Sequence, residues 1–175
     1  SPLNNLGTIA KERGDLDVAQ SRYDSALVIQ IRIAPNSLSV ASSLSNIGNV
    51  AKDRGDLGLA QDRFQQAMAI RMRLAPDSLE VANSHVALGV VAMNRGDLVL
   101  AQSRFDSALA IQERIAPSSL AVAQTLNLLG GVARLRGDMA LAQARFEAAL
   151  KIQQRLAKDS LGTAQSLDDI GAVAW

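Results

Sequence analysis

The chain has 175 residues, with 18 Lys+Arg against 17 Asp+Glu, a formal net charge of +1, and 48% hydrophobic residues. That composition excludes a disordered tail, which cannot bury enough apolar surface to offset chain entropy. The near-neutral balance argues against nucleic acid as a partner, because such binding needs a concentrated basic footprint. There is no apolar run of about 18 residues, so no membrane span is expected, and the opening Ser1-Pro2-Leu3-Asn4-Asn5 has no basic or apolar leader pattern. With no cysteine and one histidine, His85, there is no thiol nucleophile and no Cys- or His-based metal site. Neither metal nor cofactor is expected, and the lack of cysteine fits a reducing, cytoplasmic setting.

The aromatics supply the organising signal. Tyr23, Phe64, Phe105 and Phe146 stand 41 residues apart, with Trp175 outside the series. The same period carries the glycines Gly7, Gly48, Gly89, Gly130 and Gly171, the alanines Ala10, Ala51, Ala92, Ala133 and Ala174, two further alanine columns, and four Arg-Gly-Asp triplets. A fixed period of this length marks a repeat architecture.

In chain order, the first copy spans about residues 1–36 and lacks its start. The second covers 37–77 and shows the pattern most plainly. Leu38, Ala41, Leu44, Ile47 and Ala51 line one face of a helix. Gly55 ends that helix, because glycine accepts the left-handed conformation at the residue after the C-cap. Asp56 then caps a second helix whose face carries Leu57, Ala60, Phe64, Ala67 and Ile70. Pro76 closes the copy, since proline cannot continue a helix interior. The third copy covers 78–118, and Asp77 with Glu80 reads as a capping box at its start. The fourth covers 119–159, with Lys158 in the proline slot, and 160–175 is the first helix of a fifth. No stretch alternates as a strand does. The reading is therefore all-α, a right-handed α-solenoid of about nine helices. Gly48 and Ala51 on one helix, with Ala60 and Ala67 on the next, let the backbones close up around Phe64. One such pair cannot bury its own faces, so the copies must stack.

Ile47-Gly48, Ala60, Phe64 and Ala67, at these spacings, resemble the tetratricopeptide repeat. The linker Leu74-Ala75-Pro76-Asp77-Ser78-Leu79-Glu80-Val81-Ala82 and the run Leu3-Asn4-Asn5-Leu6 resemble the kinesin-light-chain type of array, found also in large bacterial proteins. The likeness spans the whole chain. It departs in a period one residue shorter, in Ala before the proline, and in Ala10, Ala51, Ala92 and Ala133, where a tyrosine is usual. The last change is expected to draw helices together and alter the superhelix pitch.

The resemblance implies a concave groove, lined by the first helix of each copy, that takes a peptide or partner protein. Its positions are Asn4, Ser45, Val86, Asn127 and Asp168; Asn5, Asn46, Ala87, Leu128 and Asp169; Thr8, Asn49, Val90, Gly131 and Ala172; and Lys11, Lys52, Met93, Arg134 and Trp175. These columns vary from copy to copy while the packing columns do not. Amide side chains can both donate to and accept from a peptide backbone. Val86, Val90 and Met93 form an apolar patch, and Lys11, Lys52 and Arg134 could attract carboxylates. The expected ligand is a peptide with an apolar anchor and flanking acidic residues. The competing reading is a solvated face, with Glu12 and Asp53 blunting the lysines. Asn49 fits one position of the family's carboxylate clamp, but Val86 and Val90 stand where the next copy would supply cations, which argues against that clamp.

Arg-Gly-Asp-Leu is an adhesion motif elsewhere, but here Gly and Asp have helix-ending and helix-starting jobs in every copy. His85 shares a column with Leu44 and Leu126 and reads as a packed, hydrogen-bonded core histidine. The arginine ladders at Arg22 and Arg32 and their 41-residue relatives read as helix-end and inter-copy charges. No nucleophile–base set and no facing pair of carboxylates is present, so the chain reads as a non-enzyme. The leading expectation is a protein-interaction scaffold. A regulatory or sensor arm of a larger signalling or protease protein stays open. So does a self-associating solenoid, because the end helix would leave Leu167, Ile170 and Ala174 uncovered and allow head-to-tail pairing.

Overall fold

The computed structural model describes residues 1–156. They form eight helices: α1 (Pro2–Glu12), α2 (Leu16–Ile33), α3 (Leu38–Asp53), α4 (Leu57–Leu74), α5 (Leu79–Asn94), α6 (Leu98–Ile115), α7 (Leu120–Leu135) and α8 (Met139–Leu156). No strand occurs among the described residues. The ninth helix, expected within 160–175, lies outside them, as do Lys158, Leu167, Asp168, Asp169, Ile170, Gly171, Ala172, Ala174 and Trp175. No described helix is long and apolar enough to cross a membrane.

The helices pack as consecutive pairs, α1 with α2 through α7 with α8, and each pair leans on the next through α2 and α3, α4 and α5, and α6 and α7. The glycine and aromatic columns explain the tightness within a pair. A methyl group on Gly48 would sit 2.8 Å from Phe64 Cε1, and one on Gly89 would sit 2.5 Å from Phe105 Cε1, so only glycine admits the ring. Tyr23, Phe64, Phe105 and Phe146 are each at most 2% exposed, and the alanines Ala19, Ala60, Ala101 and Ala142 are fully buried beside them. Burying a ring of this size stabilises by about 1.5–3 kcal/mol.

The Arg-Gly-Asp triplets are structural throughout. Gly14, Gly55, Gly96 and Gly137 all have φ near +81°, a conformation that costs other residues roughly 1–2 kcal/mol. Asp56 Oδ1 then accepts from Leu59 N at 3.0 Å, and Asp15, Asp97 and Asp138 cap their helices in the same way. The arginines reach back to the preceding pair: Arg54 donates to Asp17, Arg95 to Gln61, and Arg136 to Gln102. Each triplet thus ends one helix and starts the next, and the last three also brace a boundary.

The start of α5 corrects one expectation. Ser78, not Asp77, is the N-cap; its Oγ accepts from Val81 N at 3.4 Å and donates to Ala75 O at 2.7 Å. Ser37 and Ser119 cap α3 and α7 in the same slot. Asp77 lies one residue too early to meet the free N–H groups and instead pairs with Arg114 across the next boundary.

Candidate functional site

The groove positions fall on α1, α3, α5 and α7, the first helices of the four pairs. Ser45, Asn49 and Lys52 are four and three residues apart, which puts them on one face of α3; Val86 and Val90 share a face of α5 in the same way. The two faces meet at a cleft of about 320 Å³. Ser45, Asn49 and Lys52 form one wall, and Val86, Ala87 and Val90 form the other with Asn83. Phe64 and Arg71 of α4 close it from behind. Ser45 Oγ is buried and has no hydrogen-bond partner among the described residues.

The residues of the first pair are arranged differently. Asn4 Oδ1 accepts from Ser43 Oγ at 3.0 Å. Thr8 Oγ1 donates to Asn4 O at 3.0 Å and lies 3.1 Å from the Tyr23 hydroxyl. Lys11 Nζ is 3.0 Å from Asp53 Oδ2, and Lys52 Nζ is 3.3 Å from Asp53 Oδ1. One carboxylate therefore holds both lysines. Burial pushes the Asp53 carboxyl upward, but the Lys11 hydrogen bond and the two ammonium charges outweigh it and hold the group below its ordinary value of 3.8. Asp53 offsets one of the two ammonium charges, so the cluster keeps a net positive charge.

The remaining positions lie apart from the cleft. Asn5 and Arg134 are exposed, and Asn46 and Asn127 are half-buried. Met93 joins Val86 and Val90 in packing against the cluster that contains Phe105 and Val122, so the apolar patch is continuous with the core beneath it.

Arg71 escaped the sequence reading. It occupies the column of Gln30, Gln112 and Gln153, all buried on second helices. Opposite stands a hydroxyl column, Ser43, Ser84 and Thr125, also buried. Gln30 Oε1 lies 2.7 Å from Ser43 Oγ across the first boundary, and Arg71 Nη1 donates to Ser84 Oγ at 2.8 Å across the second. Burial pulls the Arg71 guanidinium below its ordinary range and Glu80 pulls it back up. Glu80 is not within 4.0 Å as an ion pair. The signal was available in the sequence as one charge within an otherwise neutral column.

His85 is half-buried rather than sealed in the core, and its Nδ1 has no hydrogen-bond partner among the described residues. The expected hydrogen-bonded histidine is thus corrected at Nδ1: the ring stands in a column held by leucines in the sibling copies, Leu44 and Leu126, and no described group reaches that nitrogen. Burial, then the nearby Arg104 charge, hold its pKa below 6.5. No group of three potential metal ligands occurs among the described residues.

The tetratricopeptide repeat family model matches residues 1–73, 80–155 and 121–175, and the chain belongs to that family. Among solved structures, BtubC (BKLC) from P. vanneervenii is 22% identical, with 98% of this chain and 70% of that one covered and a TM-score of 0.87. A Podosopora anserina protein of nearly identical TPR-like repeats is 16% identical, with 98% and 83% covered and a TM-score of 0.81. A Rap protein complexed with Competence and Sporulation Factor is 13% identical, with 98% and 47% covered and a TM-score of 0.82. These likenesses are in fold. No match was found among curated protein sequences.

Proposed function

We propose that this array is a protein-interaction scaffold that holds a segment of a partner polypeptide along the first helices of its pairs, centred on the α3–α5 cleft. The supporting observation is the cleft itself: positions that vary between copies converge there around about 320 Å³, while the packing columns stay constant. Asn49, Asn83 and Ser45 offer donors and acceptors for a peptide backbone. Val86 and Val90 offer an apolar wall for an anchoring side chain. A neighbour in fold, the Rap protein complexed with Competence and Sporulation Factor, is consistent with this reading. The absence of cysteine fits work in the cytoplasm.

The test is a peptide array probed with the wild-type chain and with two variants, Asn49→Ala with Lys52→Ala, and Val90→Thr. Sequences retained by the wild type should be lost by both variants while far-ultraviolet circular dichroism is unchanged. Equal retention by all three proteins would overturn the assignment of this cleft.

A further inference from the structure

We propose that the exposed sides of α2 and α4 are a docking surface for a second copy of this chain, joined through a two-fold axis. The inference uses none of the residues of the α3–α5 cleft and stands or falls apart from it. A contrast between copies carries it. On the second helix of each pair, Val28, Ala69, Ala110 and Lys151 share one column, and Ile31, Met72, Glu113 and Gln154 share another. All eight residues are exposed, so internal packing does not set their type. In the third and fourth copies these columns carry Glu113, Lys151 and Gln154, the ordinary residues of a solvated face. In the first two they carry Val28, Ile31 and Met72, which are 53%, 47% and 51% exposed. The pairs that hold α2 and α4 are neighbours, so these apolar side chains share one region of the surface.

The charge order selects a second copy as the occupant. The exposed side of α2 reads Asp24, Val28, Ile31, Arg32, and that of α4 reads Asp62, Ala69, Met72, Arg73. The steps of four, seven and eight residues from Asp24, and of seven, ten and eleven from Asp62, keep each set on one side of its helix. Both sets run from acid through apolar to base. Laid antiparallel, α2 of one copy and α4 of the other bring Asp24 to the Arg73 end, Asp62 to the Arg32 end, and Val28 and Ile31 to Ala69 and Met72. A two-fold axis makes both contacts at once, which is the self-complementarity of an isologous interface. None of these four charges has an ion-pair partner among the described residues, whereas Arg114, in the column of Arg32 and Arg73, is held by Asp77. An anionic membrane selects a uniformly basic patch, which Asp24 and Asp62 interrupt. The joined faces leave the first helices free, so the dimer presents two α3–α5 clefts to a bivalent partner.

Sedimentation velocity of the whole chain over a concentration series tests the proposal. The wild type should show monomer and dimer and no larger species, with the dimer weakened by salt. Ile31→Glu with Met72→Gln installs residues of the sibling copies at exposed positions. It should raise the dimer dissociation constant about a hundredfold, because each apolar side chain is lost twice from a symmetric interface. Two charge variants then identify the occupant. Arg32→Glu with Arg73→Glu, and Asp24→Lys with Asp62→Lys, should each weaken self-association about tenfold. An equimolar mixture of those two variants should recover the dimer, since each supplies the charges that the other lacks. All these positions are exposed, and unchanged far-ultraviolet circular dichroism checks that the fold is intact. A wild type that stays monomeric up to about 1 mM overturns the proposal. So does a dimer that survives Ile31→Glu with Met72→Gln, or a mixture that recovers nothing. A ladder of larger assemblies assigns end-to-end stacking instead and also overturns it. Binding of a monomeric wild type to phosphatidylserine vesicles, lost in Ile31→Glu with Met72→Gln, assigns the patch to a lipid surface and overturns the second copy as occupant.

Discussion

The first and second inter-pair boundaries are built from the same columns yet end in different states. Across the boundary between α1/α2 and α3/α4, Asn4 accepts from Ser43 and Lys11 pairs with Asp53, while within the first pair Thr8 meets Asn4 and Tyr23. Between α3/α4 and α5/α6, the corresponding α5 positions are Val86, Val90 and Met93. They cannot answer the hydroxyl, amide and ammonium groups of α3, and a cleft of about 320 Å³ remains between them. The lesson is that in a repeat array recognition potential arises where neighbouring copies differ, because identical copies can pair their polar groups with each other.

If the pairs that flank the second boundary share one packing rule, removing the ring from either should hurt. Phe64→Ala and Phe105→Ala should each cost about 3–5 kcal/mol, as expected for deleting a buried aromatic, read as a large fall in the denaturation midpoint. A small effect at either position would show that the ring is not the common support. Next in size, Gly89→Ala should destabilise by about 1–3 kcal/mol through overpacking against Phe105. Gly131→Ala, where nothing lies within 4 Å of the added carbon, should stabilise by about 0.5–1 kcal/mol through helix propensity. The same sign for both in thermal unfolding would break the account of the glycine column.

The acid response separates the boundaries further. His85 has a folded pKa below its ordinary 6.5, so its neutral form is favoured in the native state. Its stabilising share is present above 6.5 and is lost as pH falls through the folded value. His85→Leu, the residue of the sibling copies, should remove that slope from a series of denaturation curves, while a persistent slope would assign it elsewhere. The smallest effect concerns Asp53, whose carboxyl sits below 3.8. Its share is present above 3.8 and disappears only as pH falls through its lower folded pKa. Asp53→Asn should release Lys11 and Lys52 at neutral pH. Carboxyl titration by NMR checks the first statement, and lysine ammonium shifts check the second.

Most of the fold was legible because one rhythm governs it. Glycine, aromatic and alanine columns at 41 residues state which surfaces touch, and the triplets state where helices stop and start. The start of α5 was misread because Asp77 and Ser78 are both competent caps in isolation. The column Ser37, Ser78 and Ser119 decides between them. The site was legible only in part. Asn49, Lys52, Val86 and Val90 stand out in the sequence because groove columns vary, and the structure brings them to one cleft. The fate of the lysines was not legible, because the Lys11–Asp53 contact joins two helices of different pairs. Arg71 is outside the groove columns because it sits on α4, a second helix that closes the cleft.

Tyr23, Phe64 and Phe105 are each seated against the glycine of their own helix pair, and each also joins an apolar cluster with the next pair, Tyr23 with Ile47 and Val50, Phe64 with Leu88 and Val91, Phe105 with Val122 and Leu126. Packing is nevertheless more extensive within a pair than between pairs, and the seams add arginine braces and single side-chain hydrogen bonds such as Gln30 with Ser43 and Arg71 with Ser84. Tension or a bound segment would be taken up at the seams. The array would flex as a chain of hinged vertebrae, with the α3–α5 opening widening or narrowing as its two links tilt.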